Sequence, residues 1–588
     1  MGNLRNMLPA ALVLFITIAP SMAELESDWN DFLHYTAIGK FELAKGYADT
    51  ILGSDPDPVA LLALTEENPR AYSLLLNIYN NNDQLKDTAG ELIDLIEKGR
   101  YMRRIDPEII RQEIARLSTT IRGRMKAEGR LKNAGEYAVP FLLDELGKNV
   151  DQDPFAFIAG AMAKMDNDAC RPLQTALQMS DPAVKAEVVR ALGKIGYEQS
   201  LPYLKYVYET EELGDIRELA GRSIESISAS AMKVPAAELF YGLAERYFYH
   251  NESLRPSSDY DIANIWFWNE DQGRIVREEV SKEYFMELMA MRCCEWALKA
   301  DPETGKAISL WLNSFFRVEK TGLELPKYFG DNHPDASTYA RTCGPEYLHQ
   351  ALSRSLKDND AYTALGLIEA LVTNAGEASL LYRIGTEQPL VTALSFDDIK
   401  VRYSSAIAIG NAKPGKNFEG SSLIIENLSQ ALLGEPVEGL DADAANEYAY
   451  RAMAVLTGLA VSENELIDIS KAQQPLERIL SREDDVLRVQ AANVLAYLEA
   501  GSAQQAIAAA ALDENLALEV RVELFSALSD SAKMNGCSLD DKTIDTIYQM
   551  SGSNEIEPAL RSAAAAAFGS LNLPSSKVKD LLLDQAVS

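Results

Sequence analysis

The sequence predicts an all-α protein, an α-solenoid of short helical hairpins interrupted once by a small β-hairpin. Three observations carry that expectation. The chain has 588 residues, too many for one compact core, so it forms several domains or a repeat array. A unit of two apolar-faced helices around an aspartate-containing turn recurs along it. One stretch, 263–280, departs from the pattern with strand-like alternation and two tryptophans.

Residues 1–23 stand apart. Arg5 precedes the apolar run Leu8 to Ala19, and Ser21 and Ala23 supply the small residues of a cleavage position. The run is about 12 residues where a membrane-spanning helix needs about 20. We therefore expect a signal peptide cleaved after Ala23 and an exported, periplasmic or extracellular chain with no integral membrane segment. The balance of 56 Lys+Arg against 88 Asp+Glu gives a net charge of −32. Such a chain repels phosphates, so no nucleic-acid partner is expected. Its five cysteines, Cys170, Cys293, Cys294, Cys343 and Cys537, are odd in number and scattered. They read as small core residues and not as a disulfide framework.

The repeat is clearest from Arg171 to Gly196. Leu173, Ala176 and Leu177 share one helical face. Asp181-Pro182 ends that helix and starts the next, with aspartate at the N-cap and proline at the first helical position. Val184, Val188, Ala191, Leu192 and Ile195 recur at helical spacing. Gly193 is expected to permit close packing and Gly196 to close the helix. The plan returns at 388–412, 474–498 and 503–532, and more weakly near 139–165 and 200–227. Two such helices cannot bury both apolar faces alone, so they must stack on neighbours.

These repeats resemble the HEAT family, in particular the short HEAT-like repeats of phycobilisome lyases. The marks are an aspartate at the turn and a valine-basic pair after it: Asp181 with Val184-Lys185, Asp398 with Val401-Arg402, Asp485 with Arg488, and Val520-Arg521. The resemblance implies that these acidic and basic residues form a ladder between stacked repeats. Residues 31–57 carry Tyr35, Gly39-Lys40-Phe41, Ala44, Ala48 and Pro56, which resembles one tetratricopeptide repeat. Ala290, Ala297 and Pro302 repeat part of it. The whole arrangement is similar to exported bacterial HEAT-repeat proteins, which implies a protein-binding solenoid and no particular reaction. The expected order is a signal peptide (1–23), a tetratricopeptide-like region (24–134) and HEAT-like repeats (135–234). Helices containing the β-hairpin and a tetratricopeptide-like pair (235–330), a junction loop (331–350) and a C-terminal HEAT-like block (351–588) follow.

Motifs for common chemistries are missing from the sequence. None of the four histidines, His34, His250, His333 and His349, is followed by glutamate, so the His-Glu ligand pairs of HEAT-repeat di-iron hydroxylases do not occur. Neither HExxH, CxxC, a phosphate-cradling GxxxxGK[ST] loop nor a GxSxG elbow is found. The densest set of ligand types is Asp331, His333, Asp335, Cys343, Glu346 and His349. Its spacing matches no common zinc pattern, and Pro334 and Pro345 point to a structured loop. No residue is assigned a catalytic, cofactor or metal role, and no cofactor is expected. Lys98 to Lys132 holds eleven Lys/Arg and four Asp/Glu, a local +7. There Asp106-Pro107 starts a helix whose buried stripe is expected to be Ile110, Ile114, Leu117 and Ile121, with Arg111, Arg122 and Lys126 on a separate stripe.

In the β-hairpin, Trp266 and Trp268 fall on one face and Ile265 and Phe267 on the other, because strand side chains alternate. Gly273 suits the turn. An isolated hairpin is marginal in water, so the ribbon is expected to pack on helices as a boundary between repeat types. The leading expectation for the molecule is a non-enzymatic exported scaffold with protein or peptide partners. A metal-dependent or lyase activity at 331–349 and a self-associating envelope protein are the alternatives.

Overall fold

The computed structural model describes residues 22–150, 152–257, 260–374, 376–575, 579 and 583. The predicted signal peptide lies outside the described residues except for its last two positions, which open the helix Met22–Ala37. Among the described residues the elements are helices apart from one two-stranded sheet, β1 (Ile262–Asn269) and β2 (Arg274–Ser281). It divides into two compact units. One is Met1–Leu239 with Asn264–Glu278, and the other is Phe240–Ala263 with Glu279–Ser588.

The first unit opens with five helices, Met22–Ala37, Phe41–Gly53, Pro58–Glu67, Ala71–Asn81 and Lys86–Ile105. Trp29, Phe32, Ile51, Leu61, Leu62, Leu75, Leu92 and Ile96 fill their common core. Helical hairpins then follow: Pro107–Arg116 with Ile121–Ala134, Val139–Lys148 with Asp153–Met162, Cys170–Ala176 with Pro182–Ile195, and Leu201–Thr210 with Gly214–Ser228. Asp181 accepts from the Ala183 and Val184 amides at 2.9 and 3.1 Å, which fixes the start of its helix. Gly196 ends it at φ +79°. A Cβ on Gly193 would lie 2.5 Å from Ser223 Oγ, so glycine is what allows the next repeat to close on it. Ser223 uses that proximity to donate to Val189 O at 3.1 Å.

The second unit repeats the hairpin plan from Phe285–Ala300 with Lys306–Lys320 through to Asp541–Gly552 with Pro558–Ser570. Asp398 accepts from the Lys400 and Val401 amides and starts Ile399–Asn411 as its spacing predicts.

Five expectations need correction. Ile121 is 78% exposed, not part of a buried stripe. The helix stops at Arg116, and Thr120 caps a new one by accepting from the Gly123 amide, so the 3.6-residue period is broken between Leu117 and Ile121. The 331–350 segment is not one loop. Asp335 caps Ala336–Thr342 through the Thr338 amide at 2.7 Å, and Pro345 occupies the first position of Pro345–Lys357. Cys343 is half-buried and Cys537 exposed; only Cys170, Cys293 and Cys294 are core, and all five thiols are free. Asp484, not Asp485, is the N-cap of Asp485–Ala496. The ribbon 264–278 falls with the first unit and not with the helices that flank it in sequence, for a reason that its contacts supply.

Candidate interaction surface

The ribbon is held by one carboxylate. Trp266 Nε1 donates to Glu136 Oε2 and Asn264 Nδ2 to Glu136 Oε1, both at 2.7 Å. Asn264 Nδ2 also reaches Tyr137 Oη at 2.9 Å, and Arg277 donates to Asn264 Oδ1 at 2.9 Å while its guanidinium lies over the Tyr137 ring. Thr175 Oγ1 donates to Trp266 O. Ala263, Asn264, Ile265 and Trp266 are consecutive and buried, so both faces of the ribbon's base are covered, whereas Trp268 stays half-exposed. The polar groups of Trp266 and Asn264 are thus matched to the scaffold beneath them, and the ribbon is structural at its base. Burial raises the Tyr137 phenol far above its ordinary value, with a further contribution from Tyr101, which keeps the hydroxyl protonated and able to bond.

The ligand-type residues of 331–349 do not converge. Among the described residues no three His, Cys, Asp or Glu side chains gather into a group fit for a metal ion. Asp331 is exposed. His333 packs edge-on against Phe329 and Phe315, with ring centroids 4.5 and 5.6 Å away, and its Nε2 lies 3.3 Å from Tyr339 Oη. Asp335 caps a helix, and the Thr338 hydroxyl and amide hold its carboxyl below the ordinary range. Burial pushes the Cys343 thiol up, away from the thiolate that a soft metal needs. Glu346 is exposed and sits 3.4 Å from Gln350 Nε2. His349 is fully buried and its Nε2 lies 2.8 Å from Ser379 O. A carbonyl only accepts, so His349 carries its proton on Nε2.

The basic residues after the repeat turns have a different role from a ladder. Only Lys185 bridges to the following hairpin, with Nζ 2.9 Å from Glu211 Oε2. Arg402 donates to Phe396 O and Asp397 O, Arg488 to Leu480 O and Arg521 to Ala511 O. Each reaches back to carbonyls at the end of its own hairpin's first helix, where the backbone has no intrahelical donor. Arg124 on Leu117 O and Arg561 on Ser553 O do the same. The valine-basic spacing marked these arginines, but the carbonyls they close on are five to ten residues back and carry no sequence signature.

The basic stretch is largely neutralised by its surroundings. Of its eleven cations, six make ion pairs: Arg100 with Glu97, Arg103 with Glu66, Arg104 with Asp168, Arg116 and Arg130 with Glu113, and Lys132 with Asp166. Arg111 lies over the Phe141 ring and Arg124 over Phe157 at 3.5 Å. Lys98, Arg122 and Lys126 remain exposed. Ile121 and Met125 flank the last two and are 78% and 68% exposed, the highest values among the described large hydrophobic residues. Sequence periodicity placed Ile121 inside. The Ser118-Thr119-Thr120 run, a helix-start signal, is what would have turned it outward.

A family model described as HEAT repeats matches residues 139–225, a span of three hairpins of which the second and third meet at Gly193 and Ser223. Residues 139–225 are thus similar to HEAT repeats, within a chain of helical hairpins. No curated protein matches it. Among solved structures, importin beta in an ammonium sulfate condition is similar at 14% identity and a TM-score of 0.28, over 89% of this chain and 60% of that one. A second importin beta structure, in a polyethylene glycol condition, is similar at 13% identity and a TM-score of 0.28, over 96% and 73%. The chain spans 60% of the length of the first of these.

Proposed function

We propose that this protein is a non-enzymatic scaffold, exported from a bacterial cell, that binds proteins or peptides on its helical surface. The observation that supports it is how the hairpins use their functional groups. Charged and polar side chains close turns, as with Arg402 and Arg488, or join repeats, as with Lys185 and Glu211. Large apolar residues such as Ile121 and Met125 face outward. Stacked repeats of this kind offer extended surface for a partner without any catalytic constellation. Export rests on the Arg5–Ala23 pattern, and no described helix is long and apolar enough to cross a membrane.

The test is crosslinking of the tagged chain in the native envelope fraction, followed by identification of attached proteins. Recovery of a defined partner at near-stoichiometric yield is expected. A chain found only in the cytoplasm defeats the export reading, and a chain that crosslinks to nothing above the tag-only control defeats the scaffold reading.

A further inference from the structure

We propose that the exposed ridge at the start of the helix Ile121–Ala134 docks an acidic, amphipathic helical segment of a partner protein. The inference rests on the scaffold reading above and deepens it. Ile121 and Met125 are one helical turn apart and so share a face. Both project into solvent where no core residue covers them. Arg122 and Lys126 form the adjacent row, are exposed, and have no ion-pair partner among the described residues, although cations on either side of them do. Gly129 continues the apolar row, and a Cβ there would meet nothing within 4 Å, so a partner's backbone has room to approach.

The pairing of two apolar side chains with two unmatched cations defines the ligand chemistry. A segment with aliphatic residues one turn apart, flanked by Asp or Glu, covers Ile121 and Met125 and neutralises Arg122 and Lys126. Its carboxylates find here the net-positive stretch of a chain at −32. An anionic bilayer offers the same two contacts but is disfavoured. The remainder of the molecule is repelled by it, and two inserted side chains give little hold on a membrane.

The experiment uses the full chain and a fluorescein-labelled synthetic helical peptide with two leucines one turn apart flanked by glutamates. Its binding is followed by anisotropy. We expect saturable binding that weakens at least roughly tenfold in Arg122→Glu/Lys126→Glu and in Ile121→Ser/Met125→Ser, and that falls as NaCl rises from ~50 to ~300 mM. Replacing the peptide leucines with alanine should have a similar effect. All four positions are at the surface, so the variants keep the native circular dichroism spectrum. No peptide binding by the native chain, or equal binding by both variants, overturns the proposal. Binding to phosphatidylglycerol vesicles but not to peptide assigns the ridge to a membrane instead. A monomer–dimer equilibrium in sedimentation velocity that both variants abolish assigns it to a second copy. If envelope crosslinks persist unchanged in both variants, the scaffold reading stands and the ridge is not its site.

Discussion

Arg488 shows how one residue type closes these hairpins. It is 5% exposed, donates to Leu480 O and Arg482 O, and pairs with Asp485. Arg488→Ala strands buried carbonyls, so a loss of about 2–3 kcal/mol in urea unfolding is expected. Arg488→Lys should restore only part of it, because one ammonium cannot reproduce a planar fork. His349 makes a pH prediction. Burial disfavours its charged form and holds its pKa below the ordinary value, although the Ser379 carbonyl works the other way. The unfolded chain therefore binds this proton more readily. The stability that depends on neutral His349 is complete above about pH 6.5 and falls as pH drops below that toward the depressed value. His349→Phe should flatten that part of a urea-midpoint-against-pH profile; an unchanged slope would mean that another group controls it. Asp181 and Asp398 were legible in the sequence because a cap satisfies amides two or three residues away. His349 was legible only as a ligand type, since its carbonyl partner is 30 residues distant.

Hairpins and the ribbon depend on contacts between elements. Gly193→Ala forces its methyl against Ser223, and a loss of about 1–3 kcal/mol is expected from overpacking. Gly129→Ala, in open space on an exposed helix, should instead gain up to ~1 kcal/mol. Equal effects at the two glycines would show that close approach is not what selects Gly193. On the ribbon, Trp266→Phe keeps most of the ring but removes the donor to Glu136 Oε2. The half-buried carboxylate left without its donor should cost about 1 kcal/mol, more than Trp268→Ala at a half-exposed position. Alternation and the turn glycine made the ribbon readable, and Gly273 has φ +60°. Its docking was not readable, because Glu136 is 130 residues from Trp266. The same limit explains Ile121: a helical period read through Ser118–Thr120 cannot register that one helix has ended and another begun.

Charge acts at the scale of the whole molecule. A chain at −32 repels itself in the folded state more than in the expanded one. Added salt screens that repulsion, and raising NaCl from ~20 to ~200 mM should lift the thermal midpoint. A fall would show that exposed ion pairs such as Arg103–Glu66 outweigh the net field. Composition made this property legible, along with the repeat architecture. The hairpins 139–225 were read as weaker copies around one clear one, and they are the part that the HEAT model matches.

The placement of residues 264–278 limits how the protein can be divided. A fragment ending at Val234 looks complete by sequence, since the first block of repeats is expected to end there. It would leave the Glu136 carboxylate without the Trp266 and Asn264 donors and Tyr137 without its amide partner. Such a fragment should express poorly, whereas one ending at Glu278 should remain in solution. For the same reason a protease that nicks the chain near Ser257 should yield two pieces that co-elute on a native column and part only in denaturant. The ribbon acts as a covalent bookmark: the residues on either side of it in sequence belong to one unit and its own lodging is in the other.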